Sequence, residues 1–308
     1  SGNTDNFDTK NLSIQGDASL ATAGGRITAN NIKVKDGIYL ARVRANNVGL
    51  QQLSQQIPKS FKGKLNGEFD VAGSVDSFQP ESIVATGKGE IKTAGGVITA
   101  NNIQVKDGVY LGQVGVNNVR VRDLSEQVPK SFKGRLTGKF NLAGSLDSFA
   151  PESLIVSGQA NLNTAVGKIS ASDIEFARGQ YRAKVGENNI DVRQLSPQVP
   201  QSFPGKLTGI FNIAGSTKSV EDLTVSGNAS INAAGGKISA SEITVFNGRY
   251  QAKVATNNLL VRQLSPKIPK SFLGRLTGKF NIAGSVNSFE DDDLSGNALI
   301  NTGNGRIT

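Results

Sequence analysis

The side chains that most often carry out chemistry are missing from this chain. Its 308 residues include no His, Cys, Met or Trp. That removes imidazole general bases, thiolate nucleophiles, disulfides and thiolate metal sites. It does not assign a compartment. The remaining acids do not recur in a cleft-like setting, so a catalytic carboxylate pair is not expected. Neither an enzymatic activity nor a cofactor is expected. Asp291, Asp292 and Asp293 form one acidic run in a variant connection, SFEDDDLSG at 288–296. Such a run can chelate a hard cation, but a solvated loop is the expectation, with no metal. The many glycines build no phosphate loop, because no Gly-Lys-Ser/Thr opens a helix. The net charge of +9 suits nucleic acid, anionic lipid heads or neither. With aromatics at 6% there is no row of stacking platforms, so no nucleic-acid partner is expected.

What remains is the chemistry of apolar contact, and it is repeated. GKLNGEFDVAGS at 63–74 returns as GRLTGKFNLAGS at 134–145, GKLTGIFNIAGS at 205–216 and GRLTGKFNIAGS at 274–285. In the second copy Leu136, Phe140 and Leu142 share one parity, and Arg135, Thr137, Lys139 and Asn141 share the other. Period two is the pattern of a strand with one dry and one wet face. Each copy follows a Pro-x-Ser-Phe corner at 58–61, 129–132, 200–203 and 269–272. Tyr39, Tyr110, Tyr181 and Tyr250 recur at intervals of 71, 71 and 69 residues. A fixed long period marks an array with one structural unit per period.

These elements set the architecture. Residues 1–15 read as the frayed end of a preceding repeat, and 16–308 as a continuous array of about four repeats. GDASLATAGGRIT at 16–28 matches GNALINTGNGRIT at 296–308 in phase, so the chain is expected to be a piece of a longer array. Asp36-Gly37, Asp107-Gly108, Arg178-Gly179 and Asn247-Gly248 predict tight hairpins. Parity switches at Asn46-Asn47, Asn117-Asn118, Asn188-Asn189 and Asn257-Asn258. A bulge or bend explains this better than a ligand-binding ladder of amides. A second switch separates Ile27 and Ala29 from Ile32 and Val34. Short turns predict an antiparallel meander of about four long strands per period. No helix longer than a turn is expected. A sheet with one dry face curls, meets a second sheet or holds an apolar ligand.

The order L-x-G-x-F-x-x-A-G-S, S-x-D-S-F-x-P-E and G-x-x-x-x-x-x-A-G-G-x-I-x-A, on this period, resembles the repeat region of TamB-type proteins from cyanobacteria. These belong to the wider AsmA-like, repeating β-groove group. The resemblance covers about residues 16–308. It implies an all-β, elongated array curled into a U-shaped (β-taco) groove with an apolar interior. It implies a periplasmic, envelope-spanning protein that shields phospholipid or other acyl lipid between inner and outer membrane during outer-membrane biogenesis. It also implies a membrane anchor outside this chain, and an Omp85-type outer-membrane protein met through a region outside this chain.

On that reading the groove lining is expected to be Leu65, Phe69 and Val71 with their equivalents Leu136, Phe140 and Leu142. Leu207, Phe211 and Ile213 follow, then Leu276, Phe280 and Ile282. Ile103, Val105, Ile174, Phe176, Ile243 and Val245 join them, on a face that the bends leave open in the sequence. Lys59, Lys62, Lys64, Lys130, Lys133 and Arg135 either meet phosphate heads at a rim or keep an edge soluble, and the solvated reading is favoured. The alternative for the whole chain is a structural β-solenoid of a secreted adhesin or surface filament. Such coils usually repeat every 20–30 or so residues, and the long period shows no threefold subdivision.

Overall fold

The computed structural model describes residues 12–22, 24–53, 62–77, 79–93, 95–124, 133–148, 150–165, 167–194, 203, 205–233, 235–265, 267–285, 288–302 and 305–307. The chain divides into two units, one of residues 1–160 with 175–178 and one of 161–174 with 179–308. It is all-β and antiparallel, and its sheet is not closed.

The first unit is a meander of β1 (Ile14–Thr22), β2 (Gly25–Lys35), β3 (Ile38–Gly49), β4 (Gly63–Ser74), β5 (Val84–Thr93), β6 (Val97–Lys106), β7 (Val109–Arg120) and β8 (Arg135–Ser145). Each of these strands pairs antiparallel with its neighbour in sequence. β9 (Ile155–Thr164) and β10 (Gly167–Ala177) carry the chain across the division. The second unit continues with β11 (Gln180–Asp191), β12 (Gly205–Ser216), β13 (Thr224–Ala233), β14 (Gly236–Phe246), β15 (Arg249–Leu260), β16 (Arg275–Ser285), β17 (Ser288–Thr302) and β18 (Gly305–Ile307). These again pair in sequence order.

Among the described residues, helical structure is confined to single turns. They stand just ahead of the proline corners, at Leu50–Gln52, Val121–Leu124, Val192–Gln194 and Val261–Gln263, and in the connection after each signature strand, as at Pro80–Ser82.

The turns form for local reasons. Asp36 and Gly37 both take positive φ, 53° and 74°, and Asp107-Gly108 and Asn247-Gly248 do the same. That is the type I′ geometry whose twist matches the flanking strands. Asn47, Asn118, Asn189 and Asn258 also take positive φ, between 57° and 60°. At each the ladder skips, so that three residues of one strand face two of the next. These are bulges, and Asn tolerates the left-handed region better than most residues. A second bulge sits at Asn31, Asn102 and Glu242, with φ of 52–54°.

A bulge frees a backbone N–H, and the neighbouring strand caps it. Asn118 N–H donates to Thr137 Oγ1 at 3.1 Å, and Asn258 N–H to Thr277 Oγ1 at 3.1 Å. Asn66 does the same for Asn47 at 2.9 Å. The residue after the signature Leu, Thr137, Thr277 or Asn66, therefore holds the bend of the preceding strand. Such a bond is worth about 1 kcal/mol net.

Among the described residues, the most completely buried large side chains are those that follow each Asn-Asn bulge. Val48, Val119, Ile190 and Leu259 are 0–1% exposed. In the second unit Leu259 and Ala233 gather Phe203, Ile231, Ile238 and Leu276 around them. Phe203 reaches this cluster from the Pro-x-Ser-Phe corner; Phe61 and Phe132 of the equivalent corners lie outside the described residues.

One expectation is corrected here. The acidic run is not a loop. β17 extends from Ser288 to Thr302, and Asp293 pairs with Ala283 of β16. Ser288 pairs with Ser285, so the strand starts early; Asp293 is in register, and Asp291 and Asp292 fall at the break in register between these two pairings.

Candidate apolar binding face

Cross-strand partners project their side chains to the same side of a sheet, so the registers decide which face each residue takes. In the first unit Val71 stands between Ala41 and Ala85, and Phe69 between Val43 and Gly87. Gly87 then faces Ile103, and Ala85 faces Val105. Leu65 lies between Val48 and Ile91. In the next repeat Leu136 faces Val119, Phe140 faces Val114 and Leu142 faces Gly112. All eight residues share one face. The bulges make this possible: Ala100 and Ile103 differ in parity, and the extra residue at Asn102 returns both to the same side.

The second unit repeats the arrangement. Leu207 lies between Ile190 and Ile231, Phe211 between Val185 and Gly227, and Ile213 between Ala183 and Val225. Ile243 faces Gly227, and Val245 faces Val225 and Tyr250. Leu276, Phe280 and Ile282 stand between Leu259, Val254 and Ala252 on one side and Ile300, Gly296 and Leu294 on the other. Ile174 and Phe176 hold the corresponding positions on β10. Every lining residue expected from the sequence is half-buried, while their partners range from the covered Ile190 and Leu259 to the exposed Leu294.

The aromatic rings lie on glycine. A β-carbon added at Gly87 would stand 2.5 Å from Phe69 Cδ1, and one at Gly67 would stand 2.8 Å from its Cε2. Phe140 covers Gly138 and Gly158 in the same way, and Phe211 covers Gly209 and Gly227. Tyr39, Tyr110 and Tyr181 lie over Gly73, Gly144 and Gly215. Each ring is thus flat against the backbone, seated where side chains are missing, a device that also keeps strand glycines out of water. These seats account for two glycines of the signature, Gly138 under Phe140 and Gly144 under Tyr110, that the alternation of side chains alone does not explain.

The opposite face carries the charged pairs, together with exposed aliphatic residues near the hairpins such as Leu40 and Leu111. Arg42 pairs with Asp70 at 2.8 Å and Arg44 with Glu68 at 3.0 Å, and Lys253 pairs with Glu242 at 2.6 Å. Such exposed pairs each contribute about 0–1 kcal/mol. Of the basic corner residues, Lys62, Lys64 and Lys133 are exposed, while Lys59 and Lys130 lie outside the described residues. Arg135 is engaged within the first unit: its guanidinium donates to the carbonyls of Gly95 at 2.7 Å and Asn118 at 3.0 Å. It fastens the bulge.

No family model, curated protein or solved structure matches the chain.

Two polar groups stand on the apolar face of the second unit, and the sequence reading passed over both. Glu187 faces Gly209 across β11 and β12, and Thr256 faces Gly278 across β15 and β16. The first unit has Ala45 and Val116 at the equivalent places, facing Gly67 and Gly138. Glu187 Oε2 and Thr256 Oγ1 are buried and have no hydrogen-bond partner. Burial pushes the Glu187 carboxyl above the usual range. Only the register could expose this, because the parity of Glu187 in the sequence is reset by the bulge two residues later.

Asp191, on the polar face beside Lys206, is held differently. Arg193 donates to it from its backbone N–H, Nε and a terminal nitrogen, at 3.1, 3.0 and 2.6 Å. The Arg193 hydrogen bonds hold its carboxyl down at about 2, against desolvation. Among the described residues no group of three or more acids gathers as a metal site.

Proposed function

We propose that the chain is a segment of a bridge-like hydrophobic conduit. It shields lipid acyl chains in transport between inner and outer membrane, as its resemblance to TamB-type repeats implies. The observation that carries this reading is the apolar face of each unit. Its aliphatic and aromatic side chains between the Asn-Asn bulges and the hairpins, such as Phe69, Val71, Phe140, Leu142, Phe211 and Ile213, are half-buried in every repeat and so stay partly open to solvent. Each methylene of an acyl chain laid there gains about 0.8 kcal/mol.

On this reading the cargo is phospholipid or another acyl lipid and the setting is periplasmic. The chemistry is passive solvation with no covalent step. The seated rings keep the face low, and the repetition offers a sliding chain similar contacts in each period. The antiparallel meander speaks against the filament alternative, since coils of that kind stack parallel rungs.

Native mass spectrometry of the chain purified without added lipid tests the proposal. The expected result is several co-purifying acyl lipids per chain. A lipid-free mass from folded protein overturns it.

A further inference from the structure

We propose that Glu187 makes the apolar face of the second unit a binding site for the ammonium head of an amine-bearing amphiphile, whose alkyl chain lies along Val185, Phe211 and Ile213. This deepens the conduit reading and rests on it.

Glu187 is the one charged side chain placed on the apolar face of either unit by the registers of the described residues. Its flanks are apolar on every side. Along β11 the same face continues to Val185, Ala183 and Tyr181 in one direction and to Ile190 in the other. Across β12 stand Leu207, Gly209 and Phe211, and beyond them on β13 stand Ala229 and Ile231. On β10 the Ser170 hydroxyl donates to the Gly186 carbonyl at 3.3 Å on the opposite face, which turns Ile169 and Ala171 to the side of Glu187. The titratable groups on this face are therefore Glu187 itself, the Tyr181 phenol six residues away and, further across the sheet on β15, the Tyr250 phenol. Lys206 and Asp191 face each other on the other side of the sheet.

A carboxylate in such surroundings lacks a partner, and Oε2 is both buried and unbonded. An alkylammonium supplies what is missing: a charge-assisted hydrogen bond in a poorly hydrated place. The path from Glu187 to Tyr181 is apolar throughout, and six strand residues extend about 20 Å, room for a long alkyl chain. A fatty carboxylate meets repulsion at the same point, and a neutral alcohol gains only the apolar contact. The site therefore sorts amphiphiles by head charge, which the first unit, with Ala45 and Val116, does not.

The test is calorimetric titration of the whole delipidated chain with dodecylammonium, dodecanol and dodecanoate, each below its micelle concentration, at neutral pH. The expected order is ammonium, then alcohol, then carboxylate, with ammonium ahead of alcohol by about tenfold, the size of one charge-assisted bond. Glu187→Gln keeps the shape and removes the charge, and the ammonium should fall to the level of the alcohol. Glu187→Val, which installs the residue found at Val116, should do the same should the Gln variant fold poorly. The ammonium preference should also fade as pH drops through the raised pKa of Glu187. Equal binding of ammonium and alcohol by the native chain, or a preference that survives both substitutions, overturns this site alone. Absence of binding by all three probes overturns the conduit reading along with it.

Discussion

The two units share one backbone plan and differ in where they place polarity. On the polar side near the hairpins, the first unit exposes Ile38, Leu40 and Val84, then Val109, Leu111 and Ile155. The second unit has Gln180, Arg182 and Thr224, then Arg249, Gln251 and Asp293 at those places. On the apolar side the exchange runs the other way, with Ala45 and Val116 giving way to Glu187 and Thr256. The turns, bulges and glycine seats are unchanged. Backbone geometry and surface chemistry are therefore separately adjustable in this architecture. The first is set by positive-φ residues and glycines, the second by everything between them.

The comparison breaks most severely at the buried nodes. Leu259→Ala leaves a cavity beside Ala233 and should remove about 2–5 kcal/mol from the second unit. Denaturant unfolding followed by hydrogen exchange should show β14 to β16 opening while β2 to β4 stay protected. Equal loss in both units would mean that they unfold as one.

A charge on the dry face comes next. Phe140→Glu and Phe211→Glu should each remove lipid from the unit that carries the change and spare the other, read as co-purifying lipid per chain. A full complement of lipid in both variants would count against the apolar faces as the lipid site.

The bulge caps are subtler. Thr137→Val and Thr277→Val each leave an Asn N–H without its acceptor, at about 0.5–1.5 kcal/mol, to be measured as a shift in denaturation midpoint. The two should match within error, because the geometry is the same in both units.

Acid separates the units through Asp191. Its carboxyl is depressed from 3.8 to about 2. Its stabilising contribution is therefore complete above the ordinary carboxylate range, and is lost as pH falls through about 2. Asp191→Asn should flatten the pH dependence of stability between about 4 and 2 in the second unit only. The smallest effect is expected from Leu40→Arg and Leu111→Gln, which install the second unit's chemistry on exposed sites. Stability should change by no more than about 0.5 kcal/mol.

Much of this plan was legible in the sequence. Asp-Gly and Asn-Gly pairs named the hairpins, since few residues accept two positive φ values in succession. Parity switches located both kinds of bulge. Parity could not say on which side Ile103, Ile174 or Ile243 emerges, because that depends on the number of extra residues and on the partner strand. The glycine seats were hidden for a related reason. Phe69 and Gly87 are far apart in sequence, and their contact is a matter of register. Glu187 was missed through the same gap, and the acids at 291–293 looked like a loop because charge was taken as a sign of one.

Every registered pairing among the described residues joins strands that are consecutive in the chain. Nothing distant must be found before a strand can dock. Each hairpin can form on its predecessor as the chain is made, in order and without waiting for the far end. The same economy acts over evolutionary time. Four strands can be duplicated or deleted in frame and their neighbours will still find one another, so the number of repeats can change while each keeps the same pairings.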